Sequence, residues 1–382
     1  MKKKTKKTKY LSFLIIGIVL AGLLLFVGRR EERAVKKVVK AELNQLKNID
    51  TDTVSSYLSY QDLFPESEEE SDLSEKIREI FPLFFQDFSY HVTKVSVDGT
   101  KATADVSIRV IDASTLAKDY MKAAMQKRIA SAANPSSVEY SLEDYYLLLR
   151  DILSEQDYDT IKSTCHLTLE KKDGQWILKH TKTSDKQLTG DFAGYLSSSN
   201  LFTPEEIVEI HFDTIKGFDL EQLNQYLQLD SLFDMDDTYR RSITQALASQ
   251  IHDHFDYRII DSQNNGQTVT VSLEITSCDF KDVLKNYEAE LGTYLVTSQA
   301  LADGTSGRLA VANQLLLKNI EASDASATTT LALELVNDGS SWKLQMTDEV
   351  AQAILGNIGS AVAEISNEVP NNNGSDAEAA AE

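Results

Sequence analysis

Two short stretches of the chain alternate strictly between apolar and polar residues. In the first, Ala104, Val106, Ile108 and Val110 alternate with Asp105, Ser107 and Arg109. In the second, Val269, Val271, Leu273 and Ile275 alternate with Thr270, Ser272 and Glu274. A strand turns successive side chains to opposite faces, so each stretch predicts a strand with one buried face. Each follows a Tyr-led segment, Phe88-Ser89-Tyr90 or Phe255-Asp256-Tyr257, and a turn dipeptide, Asp98-Gly99 or Asn265-Gly266. Such dipeptides accept the positive φ that a tight hairpin needs. A second alternation comes later in each copy. Cys165, Leu167 and Leu169 flank His166 and Thr168, and Leu331, Leu333 and Leu335 flank Ala332 and Glu334. The turns Asp173-Gly174 and Asp338-Gly339 follow, then Trp176-Ile177-Leu178 and Trp342-Lys343-Leu344. The chain has only these 2 tryptophans, one at the same place in each copy, and this repeated order indicates an internal duplication. Trp176 and Trp342 are expected to be equivalent core anchors.

Helical periodicity fills the remainder. Residues 32–46 carry Ala34, Val35, Val38, Val39, Leu43 and Leu46 at helical spacing. Thr203-Pro204-Glu205-Glu206 combines an N-cap, a first-position proline and first-turn acids, and the stripe Ile207, Ile210 and Ile215 follows. Helical segments also separate the two hairpins of each copy, about residues 113–157 and 277–320, with Lys118-Asp119-Tyr120 matching Lys285-Asn286-Tyr287. Each unit therefore reads as helices, hairpin, helices, hairpin, which is α+β.

The N-terminus follows a different pattern. No residue from Tyr10 to Gly28 is charged, and Lys2, Lys3, Lys4, Lys6, Lys7 and Lys9 precede the run. That length suits a helix crossing a bilayer. The exit, Leu25-Phe26-Val27-Gly28-Arg29, lacks the small residues of a signal cleavage site. No cysteine comes before Cys165 to take a lipid. The expectation is an uncleaved anchor with the lysines in the cytoplasm and the bulk of the chain outside, despite Arg29, Arg30 and Arg33 on the far side. The organisation expected is a basic cytoplasmic tail (1–9), a transmembrane helix (10–28), a first α+β module (29–190), a Ser-rich linker (191–202), a second α+β module (203–366) and a disordered tail (367–382). Residues 65–71, Pro65 to Ser71, read as an acidic loop.

The net charge of −21 arises in spite of the lysine cluster, so the remainder is strongly acidic. Such a surface is a poor match for phosphate backbones, and no nucleic-acid partner is expected. Cys165 and Cys278 fit no zinc spacing and are read as two separate packed thiols. His252-Asp253-His254 reads as a solvated helix end, because residues two apart on a helix do not share a face. His166 and His180 have no carboxylate at a telling sequence spacing. Asp234, Asp236 and Asp237 read as acidic surface. Neither a nucleophile elbow nor a metalloprotease, phosphate-loop or calcium-loop motif is present. No catalytic, cofactor or metal-binding residue is assigned, and no cofactor is expected.

The order of elements resembles the nuclear-transport-factor-2-like, or cystatin-like, cone, in which an N-terminal helical layer lies against a curved antiparallel sheet. More narrowly, it is similar to membrane- or lipid-anchored proteins of Gram-positive bacteria built from such modules. Their signature is a Tyr-led strand, an Asp/Asn-Gly turn, an alternating strand and a late Asp-Gly-x-Trp-x-Leu strand. The first copy has Asp173-Gly174-Gln175-Trp176-Ile177-Leu178, and the second has one extra residue before Trp342. The resemblance spans about residues 31–360 and carries no catalytic motif. It implies two tandem cone modules after the transmembrane helix. Cone enzymes use an Asp with a Tyr or His in the pocket, which would single out Tyr90, Tyr257, Tyr120 and Tyr287, but packing roles are expected for these. The expected function is a membrane-anchored extracytoplasmic binding or scaffold protein of the bacterial cell envelope, its partner an envelope protein or small ligand. The alternatives are a carrier of a small molecule or peptide in a cone pocket, and a cone-fold enzyme of isomerase or dehydratase type.

Overall fold

The computed structural model describes residues 29–48, 80–133, 141–233, 237–339 and 341–361. The basic tail, the expected transmembrane helix (10–28), the acidic loop (65–71), Asp234, Asp236, the side chain of Asp237 and the tail 367–382 lie outside the described residues. Among the described residues no helix is long and apolar enough to cross a membrane. The chain divides into two compact units, one of residues 1–123 with 140–198, the other of residues 124–139 with 199–382.

The fold is α+β, with two four-stranded antiparallel sheets. The first repeat runs α1 (29–48), α2 (Ile80–Phe84), β1 (Ser89–Asp98), β2 (Lys101–Ile111), α3 (Ala113–Ala132), α4 (Leu142–Glu155), β3 (Thr160–Lys172), β4 (Gln175–Lys179), α5 (Lys182–Leu188) and α6 (Phe192–Leu196). The second runs α7 (Pro204–Lys216), α8 (Leu220–Leu227), α9 (Asp237–His254), β5 (Asp256–Asn264), β6 (Thr268–Cys278), α10 (Phe280–Leu295), α11 (Ser298–Ala302), α12 (Gly304–Ala322), β7 (Ser326–Asn337), β8 (Trp342–Leu344) and α13 (Asp348–Ile354). The strand orders are β1-β2-β3-β4 and β5-β6-β7-β8.

The duplication extends to the register. Tyr90 pairs with Ile108, and Tyr257 with Ile275. The first strand of each sheet slips by one residue, between Val92 and Lys94 and between Ile259 and Asp261. A bulge at the same place bends both sheets. The alternations fall as expected except at Leu331, which is only partly buried: Ala104, Val106, Ile108, Val110, Cys165, Leu167 and Leu169 are buried on one face, and Val269, Val271, Leu273, Ile275, Leu333 and Leu335 on the other sheet. Both cysteines are free and buried, at places that do not correspond.

The helices behave as their sequences require, with differences. In α1 the buried stripe is Val35, Val39, Leu43 and Leu46, while Ala34 is exposed. α7 starts at the expected cap, with Thr203 Oγ1 accepting from the Glu206 amide and the Glu206 carboxylate accepting from the Thr203 amide. The two tryptophans are not equivalent. Trp176 is 7% exposed, and its Nε1–H donates to Glu31 Oε2 at 2.8 Å. Trp342 is only half-buried, on a strand of three residues.

The segment read as the start of a linker holds α6, and Phe192 is fully buried with its ring 5.6 Å from Phe84. It leaves α5 through a tight turn. Gly190 has φ +65, and a Cβ there would lie 3.0 Å from Ala113 Cβ. Asp191 is also left-handed, its amide donating to the Lys186 carbonyl at 2.6 Å. The second repeat builds the same turn. Gly356 has φ +64, where a Cβ would collide with the Cys278 carbonyl, and the Asn357 amide donates to the Gln352 carbonyl at 2.7 Å. Glycine is required in both because the helix end is pressed against a strand end.

Candidate binding cleft

Two of the four tyrosines singled out for a cone enzyme, Tyr90 and Tyr257, join strand to helix. The Tyr90 hydroxyl donates to Asn44 Oδ1 at 2.8 Å, with the Lys40 carbonyl at 3.1 Å. The Tyr257 hydroxyl donates to Asp213 Oδ1 at 2.7 Å, with the Glu209 carbonyl at 3.4 Å. Desolvation raises both phenols, and Asp213 adds to the rise at Tyr257. The proton therefore stays on the phenol, and each pair fixes the N-terminal helix of its repeat to the first strand. Tyr120 is buried in the first repeat, where desolvation and then Tyr145 and Tyr146 raise it well above its ordinary value. Tyr287 is partly buried and raised by desolvation. Among the described residues the buried polar side chains are Ser184, Thr189, Thr244, Ser277 and Asn313, none of which is a carboxylate or a histidine.

Several histidines gain partners that their sequence neighbours did not reveal. His166 Nδ1 lies 2.8 Å from Asp105 Oδ1, its cross-strand partner on the exposed face of the sheet. His180 has Glu42 at 3.5 Å and Asp185 at 3.7 Å. His211, in α7, meets the Tyr226 hydroxyl of α8 at 3.0 Å, and desolvation pushes its pKa down to about 4. Periodicity gave no sign of that pair, since His211 interrupts an apolar stripe and its partner is on another helix. His252 and His254 sit in the last turn of α9, bonded locally to Asp253 and to the Gln250 carbonyl. Among the described residues no group of three His, Cys, Asp or Glu could hold a metal ion. The thiols of Cys165 and Cys278 are raised to about 12 and about 11, chiefly by desolvation, so both are protonated and inert at neutral pH.

The first repeat has an open cleft of about 330 Å³ where α5 and α6 meet the ends of β2 and β3. Val110, Ile111, Ile161 and Ser163 line the sheet side, and Lys186, Gln187, Asp191 and Tyr195 the helix side. Lys186 Nζ is 3.2 Å from Asp191 Oδ1. Ile161 and Tyr195, both lining the cleft, are 47% and 38% exposed. The cleft runs beside an unpaired strand edge, because β4 pairs only with Thr168 to Lys172 of β3. Gln187 Oε1 accepts the His166 amide at 3.0 Å and takes the place of a partner strand there.

The corresponding place in the second repeat is bridged by side-chain hydrogen bonds. Asn357 takes the position of Asp191, and its Nδ2 donates to Thr329 Oγ1 at 2.7 Å, where Thr329 corresponds to Ser163. Gln352 takes the position of Lys186, and its Oε1 accepts the Gly359 amide at 3.0 Å. A charged pair beside an open cleft is thus replaced by two amides bonded to the protein. A different hollow of about 480 Å³ lies between α10 and α12, lined by Ala289, Glu290, Tyr294, Val311 and Leu315 among others. Exposed apolar groups occur in the same helices and the loop after α10, Val296 at 86% among them.

No protein-family model matches this chain, and no curated protein sequence does. Among solved structures, a candidate lipoprotein from Bacillus subtilis aligns over 70% of this chain and 95% of its own length, at 12% identity and a TM-score of 0.25. At those values the likeness assigns neither fold nor function to this chain.

Proposed function

We propose that the chain is a membrane-anchored, extracytoplasmic binding protein of the bacterial cell envelope, built from two nuclear-transport-factor-2-like modules, with the cleft of the first module as its binding surface. The observation that carries this reading is the contrast between the repeats. The same strand end and helix turn is open, charged and partly apolar in the first, and bridged by the hydrogen bond from Asn357 to Thr329 in the second. The uncharged run from Tyr10 to Gly28, preceded by six lysines, supports the anchor and its orientation. The aliphatic inner faces of the sheets and the engagement of Tyr90 and Tyr257 by helices favour binding over catalysis.

The test is photo-cross-linking in intact cells, with a photoreactive residue at Ser163 in one variant and at Thr329 in another. The reading expects an adduct from Ser163, removed by changing Lys186 and Asp191 together, and none from Thr329. Equal adducts from both places, or none from either, would contradict it.

A further inference from the structure

We propose that the open edge of β3 beside this cleft docks an extended polypeptide strand with alternating acidic and apolar side chains. The inference rests on the reading of the cleft as a binding surface and names the class of partner.

The backbone supplies the first argument. β3 pairs with β2 along Thr160 to Glu170, but with β4 only from Thr168 onward. The His166 amide points away from β2, since it donates to Gln187. Strand parity then sends the backbone groups of Lys162 and Thr164 the same way. Among the described residues these groups have no partner strand, and both residues are exposed. A row of unmade main-chain hydrogen bonds is satisfied in kind only by another extended chain.

The side chains supply the second. Arg109 and Lys162 are direct cross-strand neighbours on the polar face. Among the described residues neither makes an ion pair, although the chain carries a net charge of −21. Like charges placed opposite each other disfavour the sheet unless an anion joins them. At the corresponding place in the second repeat, Thr276 pairs with Thr328 and their hydroxyls bond at 2.8 Å. A strand added beside β3 turns alternate side chains to opposite faces. One set lies over Lys162 and Arg109, which calls for carboxylates. The other set enters the cleft against Ile161, Val110 and Tyr195, which calls for apolar groups.

The test uses the full chain in detergent and a capped peptide, acetyl-Glu-Leu-Glu-Leu-Glu-Leu-amide. Backbone hydrogen exchange is followed residue by residue. The expected result is slowed exchange at the Lys162 and Thr164 amides and unchanged exchange at Thr328 and Thr330. R109Q combined with K162Q is expected to weaken the peptide on the order of tenfold. Thr164→Pro removes an edge amide that β2 does not use, and it is expected to abolish protection. Should that variant fail to fold, a peptide N-methylated at the residues facing β3 gives the same reading from the ligand side. No protection at β3, equal protection at β7, or an unchanged affinity in the double Gln variant would overturn the proposal. If the peptide fails while the Ser163 cross-linker still captures a partner, strand docking falls and the binding reading stands. If both fail, both fall.

Discussion

The Tyr257 hydroxyl donates to Asp213 Oδ1 at 2.7 Å, and in the first repeat Tyr90 makes the matching bond to Asn44 Oδ1 at 2.8 Å. In each case the acceptor lies one helical turn beyond a residue whose carbonyl faces the same hydroxyl, Glu209 or Lys40. The duplication has conserved a geometry while changing the acceptor from a neutral amide to a carboxylate. A bond to a carboxylate contributes more than one to a neutral amide.

Tyr257→Phe is therefore expected to destabilise its repeat by about 1–2 kcal/mol, and Tyr90→Phe by about 1 kcal/mol or less. Urea unfolding of the two variants checks the order. A larger loss for Tyr90→Phe would mean that the acceptor does not set the strength of this joint.

The tryptophans should also differ. Trp176 is buried, holds Glu31 through its indole N–H, and has the Lys171 ammonium 5.5 Å from its ring centroid. Trp176→Ala is expected to cost about 3–5 kcal/mol. Trp342, half-buried on a three-residue strand, is expected to cost roughly half of that or less. Equal losses in thermal unfolding would restore the equivalence that the sequence suggests.

Those two cases mark what the chain makes legible and what it does not. Strict alternation marked β2, β3, β6 and β7, and the Asp-Gly and Asn-Gly turns placed the hairpins, because burial on one face imposes period two over many residues. The same spacing could not show that Trp342 lacks cover, since cover comes from elements distant in sequence. The cleft was not legible from periodicity or composition. It depends on where β4 stops and on the turn at Gly190 and Asp191, which reads by composition as the start of a linker. A signal was present in the matching Gly356-Asn357, visible once the two helix ends are aligned. The His166–Asp105 pair follows from the β2–β3 register, which no hairpin turn sets, because helices intervene between those strands.

His211 gives a dependence on pH. Its pKa is pushed down to about 4 by desolvation, against about 6.5 when unfolded. Folding therefore favours the neutral ring. Its contribution is fully present above pH 6.5 and is lost as the pH falls from 6.5 through about 4. The loss is at most about 3 kcal/mol, and smaller for a side chain that keeps some contact with water. His211→Gln is expected to flatten the stability profile across that window while leaving the contribution of the carboxylates in place. Identical slopes for the two proteins between pH 6.5 and 4, by urea unfolding, would contradict this.

A surface that binds envelope partners must face outward. The direct measurement is protease treatment of intact protoplasts expressing the chain with an epitope fused after Glu382. The account predicts that the epitope is lost without lysis, with only a short fragment around residues 10–28 surviving in the membrane. An epitope that survives in intact protoplasts and is lost only after lysis would place both repeats inside the cell and contradict the account.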